Sequence, residues 1–365
     1  MSIPYLDLAV QYKKIQAQIE PKVLQILASG QYVLGPEVVA CETELAQFTG
    51  ATFASAVSNG TVALLNALLA IGVKPGDDVV TTGFSFFATA GVISLLGANP
   101  VFVDIEADTY NINVDLLEKA ITPKTKAIMP VSLYGQISDM DEIMSIAQKH
   151  GLFVIEDAAQ SFGALYKGKR SCAVSHIGCT SFFPAKPLGC AGDGGAVFTS
   201  DPELAKKLDW IRVHGQTKRY HHEYIGFNGR LDPIQCAVVR EKLKFYDQDL
   251  AERREIGQAY SDAFAGLKGV SIPVVRADRN TVFAQYTLAV AERESFIKKL
   301  EQSGVPTSIH YPSGMHEQPV YKHLQKVSLP VTEKLSKQVF SLPLYPGMPK
   351  AHVKTVIEAV QKAAQ

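Results

Sequence analysis

The chemistry-bearing residues of this chain centre on one amine and one carboxylate. Lys186 lies in Thr180-Ser181-Phe182-Phe183-Pro184-Ala185-Lys186-Pro187-Leu188-Gly189, downstream of Glu156-Asp157-Ala158-Ala159-Gln160. A lysine amine can hold an aldehyde as a Schiff base, and a carboxylate can keep a pyridine nitrogen protonated; together these are what pyridoxal phosphate needs. Asp157 follows the apolar run Leu152-Phe153-Val154-Ile155, which reads as a buried strand and places it at the carboxyl edge of a sheet, where wound α/β folds put ligands. Its competing structural role is a helix N-cap. Lys186 competes with the ordinary solvated surface lysine. Flanking Phe182, Phe183, Ala185 and Leu188 are expected to desolvate the amine and lower its pKa, and Pro184 and Pro187 to hold it in an extended, rigid loop.

A phosphate needs a cradle, and Ser58-Asn59-Gly60-Thr61 supplies a candidate between a strand and a helix. The first turn of a helix offers unpaired N–H groups and a positive dipole end to an anion. Ser, Asn and Gly are also commonplace caps, so this signal is weak alone. Ser181 could add a hydroxyl. Phe84, Phe86 and Phe87 could cover a flat ring, the alternative being plain core.

These groups need a scaffold, and the chain is long enough for one. At 365 residues it suits a large domain with a smaller appendage. The first half alternates helical and strand patterns, as a wound α/β sheet does. Strands are predicted at Phe53–Val57, Val79–Thr82, Pro100–Val103, Lys126–Val131, Phe153–Glu156, Cys179–Phe182 and Ala196–Thr199. Composition shifts near residue 245, and a charged helix from Phe245 to Phe264 is expected to link a large cofactor-binding domain (1–245) to a smaller C-terminal α+β domain (246–365). There the clearest strand is Ala284–Val290, with helices at Arg293–Glu301 and His352–Ala363.

Composition removes several function classes. The 36 basic and 36 acidic side chains balance, so no electrostatic footprint for nucleic acid or a membrane surface is visible. No apolar stretch reaches the ~20 residues a bilayer requires. The N-terminal Met1-Ser2-Ile3-Pro4 lacks the pattern of a secretory leader, and a cytoplasmic location is expected. Five cysteines, at no metal-like spacing, read as reduced thiols, and no metal is expected.

The combination of Gln31-Tyr32-Val33-Leu34-Gly35-Pro36-Glu37, Asn59-Gly60-Thr61, Glu156-Asp157-Ala158-Ala159-Gln160-Ser161, Ser181-Phe182-Phe183-Pro184-Ala185-Lys186 and Gly192-Asp193-Gly194-Gly195 resembles the DegT/DnrJ-type sugar aminotransferases. These are fold-type-I pyridoxal-phosphate enzymes that aminate keto groups on nucleotide-linked sugars. The resemblance implies that Lys186 carries the cofactor, Asp157 pairs with its ring nitrogen and Gln160 lies near the ring or its 3-hydroxyl. It also implies that Phe86 stacks on the ring, that Gly60, Thr61 and Ser181 hold the phosphate, and that Asn228 reaches the phosphate of a second subunit. A homodimer with shared active sites follows from that last assignment. Gly229, beside Asn228, is smaller than the resemblance leads one to expect.

A finer resemblance lies in Gly168-Lys169-Arg170-Ser171-Cys172, His214-Gly215-Gln216, Arg219-Tyr220-His221-His222 and His310-Tyr311-Pro312. These look like the branch acting on UDP-2-acetamido-2-deoxy-3-keto-glucuronic acid with L-glutamate as donor, for surface polysaccharide such as lipopolysaccharide O-antigen. By that likeness Arg230, His310 and Tyr311 contact the sugar or its carboxylate. Arg230 in an interface ion pair and His310 as a packing histidine are the structural alternatives. The functional alternatives are an aminotransferase for another 3-keto or 4-keto deoxysugar and, more remotely, a non-catalytic cofactor-binding regulator.

Overall fold

Seven short strands form the scaffold: β1 Phe53–Val57, β2 Asp78–Thr82, β3 Asn99–Val103, β4 Thr125–Met129, β5 Phe153–Asp157, β6 Ile177–Ser181 and β7 Gly195–Thr199. All seven coincide, within a residue or two, with the apolar runs of the sequence. They come from a computed structural model that describes residues 3–322 and 327–365. Their order in the sheet is β1-β7-β6-β5-β4-β2-β3. β7 runs antiparallel to both neighbours and every other pairing is parallel. The central strands are buried on both faces, which explains why they read as continuous apolar runs rather than alternating ones.

Two layers cover the sheet. On one side Ile15, Ile19, Val38, Leu45, Val80, Ile128 and Val154 share a core, drawing on the helices Leu8–Ser29 and Pro36–Thr49. On the other, Ala63, Leu64, Leu68, Val79, Met129 and Ile155 pack with the helix Gly60–Ala70. The helix Tyr246–Phe264 runs from the first core, through Tyr246 and Leu250, into a separate core through Ile256, Tyr260 and Phe264. That separate core is built on a three-stranded antiparallel sheet, Val270–Ser271, Tyr286–Val290 and Val339–Leu342, covered by the helices Arg293–Gln302 and Lys350–Ala363. Ile3 and, at its edge, Leu6 join it, so the N-terminal segment packs with the C-terminal core.

The site residues cluster where parallel strands end. Asp157 closes β5 and pairs in register with Cys179 of β6, and Ser181 closes β6. Among the described residues no helix is long and apolar enough to cross a membrane, no His/Cys/Asp/Glu group could hold a metal ion, and all five cysteines are free and buried.

Candidate active site

Asp157 is 5 % exposed at the sheet edge. Its Oδ2 accepts the Thr89 hydroxyl at 2.8 Å and its Oδ1 accepts the Ala159 N–H at 3.2 Å. Burial pushes its pKa up, and those two hydrogen bonds and the Lys186 charge pull it down. No helix follows Asp157, only turns, so a helix cap is not its role. The neighbouring Glu156 is saturated by Ser132 (2.8 Å), Ser171 (3.1 Å) and the Cys172 N–H (2.7 Å), and acts as an internal brace.

Lys186 ends a turn rather than an extended loop. Its N–H donates to the Phe183 carbonyl at 2.8 Å, which makes Phe183-Pro184-Ala185-Lys186 a β-turn with proline at its preferred second position. Pro187 restricts Lys186 only as the residue leaving that turn, so rigidity is kept without extension. Burial lowers the amine's pKa from its ordinary value, opposed by the Asp157 carboxylate. The two groups thus lie within electrostatic reach of each other.

Gly60 and Thr61 open the helix Gly60–Ala70, capped by Asn59, whose Oδ1 accepts the Val62 N–H at 2.9 Å. The N–H groups of Gly60 and Thr61 have no acceptor among the described residues. Glycine at 60 is required sterically: a Cβ there would lie 2.7 Å from Ser181 Cβ. Gly195 has the same relation to the Asn59 backbone, at 2.6 Å. The two glycines let the helix start press against the ends of β6 and β7, bringing Gly60, Thr61 and Ser181 together. Ser181 Oγ accepts the Phe183 N–H at 3.2 Å, which leaves its own proton to donate.

The strand-like segment Asn228–Arg230 runs beside this cradle. Ser58 N–H donates to Gly229 O at 2.8 Å, and Arg230 bridges Val57. The small residue at 229 has a local reason: a Cβ would meet the Phe227 ring at 2.4 Å and Val62 Cγ1 at 2.9 Å. Asn228 is exposed, so within one chain it is directed at solvent. Among the described residues the Arg230 guanidinium has no carboxylate partner, unlike Arg212, Arg240, Arg276 and Arg279.

Gln160 ties the aromatic wall to the sheet. Its Oε1 accepts the Tyr134 N–H at 2.9 Å, and its Nε2 donates to the Tyr311 hydroxyl at 3.1 Å. The Tyr311 ring sits 6.2 Å from those of both Phe84 and Phe86. Phe84 is fully buried and belongs to the core, whereas Phe86 is 55 % exposed and free to cover a ligand. Phe87 packs 5.8 Å from Tyr321. The Tyr134 hydroxyl donates to the His310 carbonyl. Burial, and the Lys186 charge, push the His310 imidazole down to about 4, so it is neutral near pH 7. His310 and Tyr311 thus reach the site from the C-terminal portion. Thr89 and Tyr134 were not legible in the sequence, since only the fold brings them to Asp157 and Gln160.

The arrangement fits pyridoxal phosphate on its donor chemistry. It provides a partly buried amine of lowered pKa, a buried carboxylate held by two donors, free helix N–H groups beside a serine hydroxyl, and an open aromatic face. A seven-stranded, mostly parallel sheet carrying this site defines a fold-type-I pyridoxal-phosphate-dependent aminotransferase. The profile of the DegT/DnrJ/EryC1/StrS aminotransferase family matches residues 13–361, and the chain belongs to that family.

Among its relatives, the chain is 48 % identical, over 98 % of its length and 99 % of the relative's, to the UDP-2-acetamido-2-deoxy-3-oxo-D-glucuronate aminotransferase of Pseudomonas aeruginosa. It is 41 % identical, over 99 % of its length and 98 % of the other's, to a protein of Geobacillus stearothermophilus named a pleiotropic regulatory protein. The crystal structure of S. venezuelae DesV in complex with a ketimine intermediate superposes with a TM-score of 0.98 at 39 % identity, covering 100 % of this chain and 99 % of that one.

Proposed function

We propose that this chain transfers the amino group of L-glutamate, through pyridoxal phosphate, to the 3-keto carbon of UDP-2-acetamido-2-deoxy-3-keto-glucuronate. The products are the 3-amino sugar and 2-oxoglutarate. The reading rests on likeness to the Pseudomonas aeruginosa enzyme and on one feature of the site, the unpaired guanidinium of Arg230 beside the phosphate cradle. Glutamate and a uronic acid both present a carboxylate, and a guanidinium fork suits that group. His310, being neutral, can hydrogen-bond a sugar oxygen but offers a carboxylate no charge.

Pyridoxal phosphate, when bound, supplies an electron sink for the carbon that loses its proton. Lys186 would hold it and afterwards, as a free amine of lowered pKa, take a proton from the glutamate α-carbon in the first half-reaction and deliver a proton to the sugar C3 in the second. Asp157 would keep the ring nitrogen protonated, with Thr89 fixing its carboxylate. Gly60, Thr61 and Ser181 would grip the phosphate, Phe86 would cover the ring, and Gln160 would lie near the 3-hydroxyl.

A homodimer completes the reading, with Asn228 of the partner subunit reaching the phosphate. Its support is an apolar groove of about 750 Å³ along the helix Leu8–Ser29, lined by Leu8, Tyr12, Leu24, Pro184 and Ile234, with Leu24 66 % exposed. A cytoplasmic place in surface-polysaccharide synthesis, lipopolysaccharide O-antigen included, belongs to the same proposal.

The test is turnover with the keto uronic acid and with a neutral 3-keto nucleotide sugar, for wild type and Arg230→Ala. Preference for the uronic acid, lost together with glutamate saturation in the variant, is expected. Equal rates on both sugars would overturn the substrate reading. No turnover on any keto sugar would favour the regulatory role that the Geobacillus stearothermophilus relative's name suggests.

A further inference from the structure

The loop that carries Lys186 is closed on itself and fastened to one helix, Pro233–Leu243. The Cys190 N–H donates to the Phe182 carbonyl at 2.7 Å, which ties the two ends of residues 182–190 together. Inside that loop the Lys186 N–H donates to the Phe183 carbonyl at 2.8 Å. Gly189 backs directly onto the turn so formed: a Cβ there would lie 2.6 Å from the Pro184 carbonyl oxygen and 2.8 Å from that of Phe183. Whatever holds Gly189 therefore holds the turn that ends at Lys186.

Two side chains of the helix hold it. Gln235 and Lys242 stand seven positions apart, two helical turns, and so project from one face. Gln235 takes both backbone groups of Ala191: its Oε1 accepts the N–H at 2.8 Å and its Nε2 donates to the carbonyl at 3.2 Å. Lys242 Nζ donates to the Gly189 carbonyl at 2.6 Å, the length of a charge-assisted bond, and to Gln11 Oε1 of the helix Leu8–Ser29 at 3.1 Å. Among the described residues no other donor reaches the buried Gly189 carbonyl, and the Lys242 ammonium has no carboxylate partner. Burial lowers its pKa from the ordinary value. It borders the apolar groove beside Ile15, Ile19, Val23 and Val238, where leucine or methionine would avoid the desolvation. A residue set against its surroundings in this way marks a requirement elsewhere, and the oxygen it reaches lies three residues beyond Lys186.

We propose that Lys242, seconded by Gln235, is a positioning residue for Lys186: through the Gly189 carbonyl it clamps the turn Phe183–Lys186 and holds the Lys186 amine in one place for both half-reactions. The half-reaction clause rests on the function proposed above; the clamp does not.

The experiment compares Lys242→Met, which keeps the stem and removes the donor, with Gln11→Leu, which removes the other acceptor and leaves the Gly189 bond. Gln235→Met tests the second fastening. In the apoprotein, labelling of the Lys186 amine by acetic anhydride is followed against pH by mass mapping, and deuterium exchange is read at the Lys186 and Cys190 N–H groups. Loss of a hydrogen bond from a charged donor should speed that exchange about 10-fold or more in Lys242→Met and move Lys186 labelling to higher pH, with Gln11→Leu like wild type. In the holoenzyme both half-reactions should slow by the same factor, with the KM for glutamate and for the keto sugar little changed. Lys186 labelling like wild type in Lys242→Met, or in Gln235→Met should Lys242→Met not fold, overturns the proposal. So does a Gln11→Leu protein as altered as Lys242→Met. Altered labelling with no turnover of any keto sugar by wild type leaves the clamp standing and removes the functional reading instead.

Discussion

Thr89→Val removes one hydroxyl from beneath Asp157 while keeping the side chain's branched shape. The Thr89 O–H contacts Asp157 Oδ2 at 2.8 Å, and the only other donor to this carboxylate among the described residues is the Ala159 N–H at 3.2 Å. Burial already drives Asp157 toward its neutral form, so losing the shorter donor pushes its pKa further up. A neutral Asp157 cannot stabilise a protonated ring nitrogen. A hydrogen bond to a charged group contributes about 1.5–3 kcal/mol, so the glutamate half-reaction should slow about 10- to 100-fold. Single-turnover mixing with glutamate, followed by the cofactor's absorbance, reads that rate directly. Thr89→Ser restores the donor and should recover most of it, and the thermal midpoint of the apoprotein separates a chemical effect from a folding one. The reasoning fails if Thr89→Val stays within about twofold of wild type, or if Thr89→Ser is as impaired as Thr89→Val.

Two further outcomes follow from the same geometry. Gly60→Ala places a Cβ 2.7 Å from Ser181 Cβ, so the helix start must lift off β6. Overpacking of this kind costs about 1–3 kcal/mol, and titration of the apoprotein with pyridoxal phosphate should show correspondingly weaker binding; unchanged affinity would contradict the cradle. His310 is buried neutral, with its pKa lowered from 6.5 to about 4, so the unfolded chain binds the additional proton between those values. Its contribution to apoprotein stability is therefore fully present above pH 6.5 and is lost as the pH falls toward 4. Denaturant midpoints across that window should fall less steeply for His310→Gln than for wild type, and identical slopes would contradict the assignment.

The sheet was legible because its strands are short apolar runs bounded by turns, and Phe153–Asp157 carried its functional residue at its end. The order of the strands was not legible. β1 and β7 pair although β2 to β6 all lie between them in the sequence, and no local pattern specifies that. Lys186 and Asp157 stood out by residue type and flanks. Thr89 did not, because a threonine at a helix start is an ordinary residue until the fold places it 2.8 Å from a carboxylate 68 positions away. The extended loop expected around Lys186 became a turn because Pro184 favours the second turn position more directly than Pro187 constrains the fourth. The unexpected small residue at Gly229 found its cause only in a neighbouring ring, that of Phe227.

Everything in the proposed chemistry depends on Lys186 being the residue that carries the cofactor. Borohydride reduction of the yellow holoenzyme, proteolysis and mass mapping of the peptides test this in one measurement. A pyridoxyl-phosphate adduct on the peptide bearing Lys186, absent when glutamate is added before reduction, is the expected result. An adduct on another lysine, or a holoenzyme that reduction leaves unlabelled, would contradict the account.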